Sequence, residues 1–337
     1  MKALVVGGSG YSGGELLRIL RGHGKVDSVE ATSRTYKGKP VSDVHTNLKG
    51  ICDETFEEYD AGKADCDIAF LALPHGEGME HAPALLQKGI KVVDLGADYR
   101  IKDAAVYERY YGKHKNPELL SKAVYGLPEL FREKIRKAQL VANPGCYATA
   151  AILAIAPASK FKDKIDAERI IVDAKSGTSG AGVKPSEFLH HSEVADNIKA
   201  YKVTGHRHQP EMDSIIGQLI PHASVSFTPT LIPVVRGILS DTHMFCKLTL
   251  DDLKRQYSEF YGKERFVRIV ENVYTKNVLY SNYCDISVHL DDEKGRAVIV
   301  SAIDNLVKGA AGQAVQNMNL MMGYGEAEGI DSLPYHP

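Results

Sequence analysis

Lys2 to Val6 is a short apolar run, Gly7-Gly-Ser-Gly-Tyr-Ser-Gly-Gly14 is a turn, and Glu15-Leu-Leu-Arg-Ile-Leu20 carries its apolar residues at helical spacing. A strand, a glycine loop and a helix in that order open a βαβ unit, which commits the chain to a parallel, helix-covered sheet. Gly7, Gly10 and Gly13 form G-x-x-G-x-x-G, a variant of the dinucleotide fingerprint G-x-G-x-x-G. Glycine is needed there because only it allows the tight turn and the close approach of a pyrophosphate. The helix N-terminus then receives the phosphates. Taken alone, such a pattern also suits any tight strand-to-helix turn.

The following segments keep the same rhythm. Ser28 to Ser33, Asp67 to Leu73, Lys91 to Leu95 and Gln139 to Ala142 read as strands, and Gly78 to Lys88 as a helix, so the first half is a Rossmann-like α/β domain. Pro74-His-Gly76 and Gly96-Ala-Asp-Tyr-Arg100 lie at carboxyl ends of strands, where open α/β sheets bind ligands. The second strand ends about 20 residues past the glycines, where an NAD-specific fold carries an acid for the ribose hydroxyls. This chain has Ser33 and Arg34 instead. A hydroxyl and a guanidinium suit a 2′-phosphate, so the expected cofactor is NADP(H). The competing reading makes Arg34 part of a solvated basic loop running to Lys39.

The 337 residues exceed what one core usually organises, which predicts two domains. Forty-one Lys+Arg against 43 Asp+Glu, with no basic block, argue against a nucleic-acid partner. No apolar stretch approaches the roughly 18–20 residues of a membrane span. The start of the chain lacks a signal-peptide pattern, and five cysteines without a C-x-x-C argue against a metal site and fit a reducing cytoplasm.

One of those cysteines has a special setting. In Val141-Ala-Asn-Pro-Gly-Cys-Tyr-Ala-Thr-Ala150 a Pro-Gly break ends a strand-like segment and an Ala-rich helix begins at Cys146. Unpaired N–H groups and the positive end of a helix dipole favour thiolate, which makes Cys146 a candidate nucleophile. Free cysteines are also commonly small buried hydrophobes, and the local pattern leaves both readings standing.

The second half is richer in strands. Arg169 to Lys175, Ser224 to Arg236, Gly237 to Leu250, Tyr283 to Leu290 and Ala297 to Ile303 alternate or run apolar, predicting an α+β domain with a mostly antiparallel or mixed sheet. Helices are expected over Met212 to Leu219, Asp251 to Tyr261 and Asp304 to Gly323. The last, with small residues at Gly309, Ala310, Ala311, Gly312 and Ala314, is expected to approach another backbone closely and to pack back on the first domain. The domain reading is therefore 1–145 with 309–337 returning to it as the NADP-binding domain, and 146–308 as the catalytic and oligomerisation domain. Ser176-Gly-Thr-Ser-Gly-Ala-Gly182 is either a flexible turn or a second ligand-contacting loop. Gly205-His-Arg-His-Gln-Pro-Glu211 packs two imidazoles, a guanidinium and a carboxylate into seven residues. Histidine can move protons near neutral pH and arginine can hold a carboxylate or phosphate, although a structural role for either histidine stays open.

With these pieces assembled, the chain resembles the N-acetyl-γ-glutamyl-phosphate reductases of arginine biosynthesis, relatives of aspartate-semialdehyde dehydrogenase. The segments that carry the resemblance are the run around Cys146, Gly205 to Glu211, Asp94-Leu-Gly-Ala-Asp-Tyr-Arg100, Tyr125-Gly-Leu-Pro-Glu129 and Asp304 to Ala314, in the same order. The resemblance implies NADPH-dependent reduction of an acyl phosphate to an aldehyde with release of phosphate, through a thioester on Cys146. It implies His206 as acid/base, Gly10, Tyr11, Ser12 and Gly13 at the dinucleotide, Ser33 and Arg34 at its 2′-phosphate, and Ser179, Gly180 and Asn305 at the nicotinamide end. Arg207, His208 and Glu211 are candidates for the substrate's phosphate or carboxylate, and a homodimer or homotetramer is implied. Gly96 stands where the family commonly has serine, and Ala148 where many members have proline. Two other readings remain: a lysine-pathway reductase whose aminoadipyl phosphate rides on a small acidic carrier protein, and a non-catalytic NADPH-binding regulator.

Overall fold

The computed structural model describes residues 1–335, so the last two residues of the expected returning segment lie outside it. The chain divides into two compact units, one of Met1–Pro144 with Ala310–Ser332, the other of Gly145–Gly309 with 333–335.

The first unit is a six-stranded parallel sheet. In chain order it runs β1 (Lys2–Val6), α1 (Tyr11–Arg21), β2 (Ser28–Thr32), a single turn α2 (Val41–Val44), β3 (Ile68–Leu71), α3 (Gly78–Gln87), β4 (Lys91–Asp94), α4 (Ala104–Tyr111), β5 (Val124–Tyr125), α5 (Pro128–Arg136) and β6 (Leu140–Ala142). The sheet order is β2-β1-β3-β4-β6-β5. β3 is buried along its whole length because helices cover both faces, which is why Ile-Ala-Phe-Leu reads as an uninterrupted apolar run. Leu4, Val6, Leu71, Val92 and Leu140 meet Met79, Leu85 and Tyr107 in one core cluster.

The second unit is a seven-stranded mixed sheet. Its elements are α6 (Cys146–Ile155), β7 (Ile170–Ser176), the single turn α7 (His191–Val194), β8 (Lys199–Ala200), α8 (Gln209–Leu219), β9 (Val225–Leu231), β10 (Ile238–Phe245), α9 (Leu250–Tyr261), β11 (Val267–Ile269), β12 (Cys284–Asp291) and β13 (Arg296–Ile303). The order is β11-β12-β13-β10-β7-β9-β8, with β7·β9 and β11·β12 parallel and the rest antiparallel. Buried and less buried residues alternate along β7, β9 and β10, the mark of a sheet packed on one face only. α6 lies on β10 and β13 and against α8.

After β13 the expected helix from Asp304 divides. Asp304 stays outside it and caps it, its Oδ1 accepting the N–H groups of Leu306 (2.8 Å) and Val307 (3.1 Å). Val307–Ala311 then forms a π-type turn before α10 (Gly312–Met322), which packs on α1, α5 and β4 within the first unit. Two further helices, α4 and α5, carry start signals at their ends: the Asp103 carboxylate caps Ala105 and Val106, and α5 has proline in its first turn.

A strained spot sits at the carboxyl end of β4. Asp94 is fully buried, its Oδ1 accepts the Gly96 N–H (3.0 Å), and its Oδ2 has no hydrogen-bond partner. Burial, and then the nearby Asp98 carboxylate, push its carboxyl well above the usual range. A raised folded pKa means that this group's contribution to stability is present at low pH and is lost as pH rises above the unfolded value of about 3.9. Asp94→Asn mimics the protonated acid. It is expected to raise the melting temperature more at pH 8 than at pH 5, which thermal unfolding at the two pH values will show.

Candidate functional site

The glycine loop of the first unit has the geometry of a phosphate cradle. Gly7 sits at φ +85°, and a Cβ there would lie 2.4 Å from the Ala72 carbonyl oxygen. A Cβ on Gly13 would lie 2.6 Å from the Gly7 carbonyl oxygen, so helix and loop touch backbone to backbone. At Gly10, by contrast, the nearest atom stands 3.9 Å from where a Cβ would be. Folding alone does not demand glycine at position 10, whereas an anion lying against the loop would. Gly10 is also the N-cap of α1, with no side-chain cap and no acid in the first turn, which leaves the helix start suited to a phosphate. Tyr11 is exposed and Ser12 half-buried beside it.

At the end of β2, Ser33 is buried; its hydroxyl accepts the Tyr36 N–H (3.2 Å) and meets the Ser9 hydroxyl at 3.0 Å. Arg34 is exposed and forms an ion pair with Glu77. His45, which no motif pointed to, braces the loop: its Nε2 is 2.8 Å from the Gly8 carbonyl oxygen, and its ring leaves no room for a Cβ on Gly14.

In the second unit, Cys146 is half-buried at the first position of α6, while the rest of that helix is buried. A buried helix must find partners for its end groups. At its C-terminal end the Tyr257 and Tyr261 hydroxyls donate to the Ala154 and Leu153 carbonyls, both at 2.5 Å, and mid-helix Ser301 Oγ donates to Ala150 O (3.0 Å). At the start, Glu211 Oε1 accepts the N–H of Gly145 (2.8 Å). The carboxylate expected to bind substrate is thus buried and tied to the backbone next to the thiol. Gly309 closes the same corner, since a Cβ there would lie 2.8 Å from that of Cys146. Of the small residues expected to approach another backbone, Gly309 does so here, beside the thiol.

Tyr147 joins the thiol to the histidine cluster. Its ring meets His206 edge-on at 5.6 Å, His208 at 5.8 Å and Phe227 at 5.2 Å, and its hydroxyl lies 3.2 Å from that of Tyr201. Tyr201 and Phe227 complete a cage around His206. Sequence reasoning missed this cage; Phe227 is one inward residue of an alternating strand and carries no mark of its own. The loop leading to His206 holds Lys202 and Thr204 at φ +45° and +64°, which is local strain of the kind found at working sites. His206 Nδ1 accepts the His208 N–H (3.2 Å), so the ring proton sits on Nε2. Burial, then Arg207 and Lys202, bring its pKa down to about 4. The imidazole is therefore neutral at pH 7 and acts as an Nε2–H donor, not as the near-neutral titrating group that its residue type suggests. Arg207 and His208 are half-buried beside it.

The third set of expected residues holds itself together. Asn305 Nδ2 donates to Ser179 Oγ (2.9 Å) and its Oδ1 accepts the Gly237 N–H (2.7 Å), while Gly180 lies close to both Ser176 and Asn305. Within the Ser176-to-Gly182 loop, Ser179 is thus tied to Asn305. Gln313, buried in the first turn of α10, has neither amide atom hydrogen-bonded, and helical periodicity gave no sign of it.

Residues 2–138 match the semialdehyde dehydrogenase, NAD binding domain, and residues 146–305 match the semialdehyde dehydrogenase, dimerisation domain. The N-acetyl-gamma-glutamyl-phosphate reductase of Archaeoglobus fulgidus is 49% identical over 340 residues, covering 100% of both chains. This chain belongs to the semialdehyde dehydrogenase family. A second family member, the N-acetyl-gamma-glutamyl-phosphate reductase of Methanocaldococcus jannaschii, is 48% identical over 99% of this chain and 98% of its own. The semialdehyde dehydrogenase fold extends to aspartate semialdehyde dehydrogenase II of Vibrio cholerae complexed with ASA (TM-score 0.72, 18% identity, 96% and 98% covered). It also extends to the Candida albicans aspartate semialdehyde dehydrogenase with NADP (TM-score 0.71, 15% identity, 95% and 98% covered). Among the described residues no helix is long and apolar enough to cross a membrane, and no cluster of metal-binding side chains occurs.

Two predictions follow from the Cys146 corner. Glu211→Gln keeps an acceptor for Gly145 and removes a negative charge beside the thiol, so the pKa read from the pH dependence of iodoacetamide alkylation should fall by on the order of one unit. Glu211→Ala strands a buried N–H and should instead cost about 1–3 kcal/mol in urea unfolding. The depressed His206 pKa lies below the unfolded value, so its contribution to stability is full above pH 6.5 and is lost as pH falls towards 4. That loss is on the order of 3 kcal/mol, and denaturation of His206→Gln should lack it.

Proposed function

We propose that the protein is an NADPH-dependent N-acetyl-γ-glutamyl-phosphate reductase, converting N-acetyl-L-glutamyl 5-phosphate to the 5-semialdehyde and phosphate in arginine biosynthesis. The observation that carries the reading is the placement of Cys146 at the start of a buried helix beside the His206 cage, in a chain nearly half identical end to end to reductases of that name. The first unit is assigned to the dinucleotide, with Gly7, Gly10, Tyr11, Ser12 and Gly13 along the pyrophosphate and Ser33 and Arg34 at the 2′-phosphate. The fit is good: Gly10 leaves room for an anion, the start of α1 is uncapped, and β2 ends in a guanidinium rather than an acid. NADPH, when bound, supplies the hydride that the thioester accepts and a carboxylate would not. Ser179, Gly180 and Asn305 are assigned to its nicotinamide end.

The remaining chemistry belongs to the chain. The Cys146 thiolate attacks the acyl carbon, the carbon–oxygen bond to phosphate breaks, and phosphate leaves with the electron pair, giving a thioester. N–H groups at the start of α6 stabilise the transient oxyanion, a contribution worth a few kcal/mol when well aimed. Neutral His206 donates a hydrogen bond from Nε2 to the oxygen that becomes the hemithioacetal alkoxide, and that alkoxide collapses as its carbon–sulfur bond breaks, releasing aldehyde and thiolate. Arg207 and His208 hold substrate anions, and Glu211 positions the thiol's helix. The dimerisation-domain match over 146–305 and the half-covered sheet support a homodimer or homotetramer, and five free cysteines are in keeping with a reducing cytoplasm.

A carrier-linked aminoadipyl phosphate is the second reading, supported by a groove lined with Lys160, Lys164 and Arg255. Asp163 and Asp252 share that groove, and Asp252 already pairs with Arg255. Purified protein should oxidise N-acetylglutamate semialdehyde with NADP⁺ and phosphate, and Cys146→Ser should lower that rate by at least about 1,000-fold while NADP⁺ binding persists. Turnover of the carrier-bound substrate alone would refute the first reading, and full activity of Cys146→Ser would refute the mechanism.

A further inference from the structure

The sheet order places β1 between β2 and β3, so the glycine loop emerges between the loops that follow those two strands. Gly8 N–H donates to Thr32 O on the β2 side (2.9 Å), and Gly7 presses on Ala72 on the β3 side. The ion pair between Arg34, two residues past β2, and Glu77, at the start of α3, joins these flanking loops. Both ends of this strap are supported. Ser33 fixes the turn after Arg34 through Tyr36 N–H. On either side of Glu77, Gly76 N–H and Met79 N–H donate to the buried Asp98 carboxylate at 2.7 and 3.1 Å. Of the other acids close by, Glu80 is taken by Lys115.

We propose that Glu77 is a specificity-determining residue of the dinucleotide site, standing in for the ribose 2′-phosphate as the counter-ion of Arg34. The inference rests on the reading of Ser33 and Arg34 as the 2′-phosphate subsite. A dinucleotide 2′-phosphate brings at least one negative charge and three acceptor oxygens to the guanidinium. To bind, it must take Arg34 from Glu77, and it then faces a carboxylate on a loop that Asp98 holds in place. A cofactor with free ribose hydroxyls meets neither cost, because a carboxylate accepts hydrogen bonds from a diol. NAD-specific folds carry that acid at the end of the second strand; here it is offered from the loop after the third. Glu77 therefore narrows the preference for NADP(H) that Arg34 creates.

Glu77 is partly exposed, so its replacement does not threaten the core, and the predicted change is a gain that unfolding could not produce. Wild type, Glu77→Gln and Arg34→Ala are titrated with NADP⁺ and with NAD⁺ by isothermal calorimetry at one salt concentration. Glu77→Gln should raise the ratio of NADP⁺ to NAD⁺ affinity by roughly two- to fivefold, the range that an exposed ion pair allows. An unchanged or lowered ratio overturns the proposal, the lowered one by showing that Glu77 aims Arg34 at the phosphate. If wild type binds NAD⁺ more tightly than NADP⁺, or Arg34→Ala leaves the ratio intact, the underlying subsite reading fails instead.

Discussion

The second unit depends on satisfying the backbone of a helix that has almost no contact with water. α6 carries Cys146 and is otherwise buried, so each polar group at its ends needs a protein partner or costs stability. Glu211 takes the amide just before the thiol, and Tyr257 and Tyr261 take carbonyls at the far end. These partners come from α8 and α9, so the helix that holds the thiol also fixes how those helices lie. The thiol at the head of this helix is left half-buried.

That arrangement places a carboxylate near the Cys146 thiol. A helix N-terminus favours thiolate through its unpaired N–H groups, but here a carboxylate occupies the same terminus. Glu211 thus serves the fold at the start of the helix, and Arg207 stands four positions before it in the adjacent turn. His206 shows a similar balance. Its aromatic cage holds it in position and also keeps it neutral, so it contributes a directed hydrogen bond rather than a charge.

Much of the architecture could be read in advance. β1 was legible to the residue because its apolar run ends abruptly in glycines, and β3 to within two residues because a strand covered on both faces cannot alternate. The two-residue strands β5 and β8 were not legible, since pairing with a neighbour rather than any internal pattern makes them strands. At the site, Cys146, His206 and the glycines stood out by residue type and local setting. Glu211 also stood out, as a carboxylate among histidines, but its hydrogen bond to Gly145 was not legible. Gly309 was recognised as a point of close approach, though not as the residue against the thiol.

Local sequence determined the kinds and order of the elements, the glycine loop, and the placing of a cysteine at a helix start, because strand and helix periods and turn chemistry are written over a few consecutive residues. Tertiary structure alone decided what the polar residues do. Arg34 meets Glu77 across 43 positions, Gly145 meets Glu211 across 66, and Ser179 meets Asn305 across 126. A charge or an amide takes its role from the partner that folding brings to it, and from how much water is removed when it arrives.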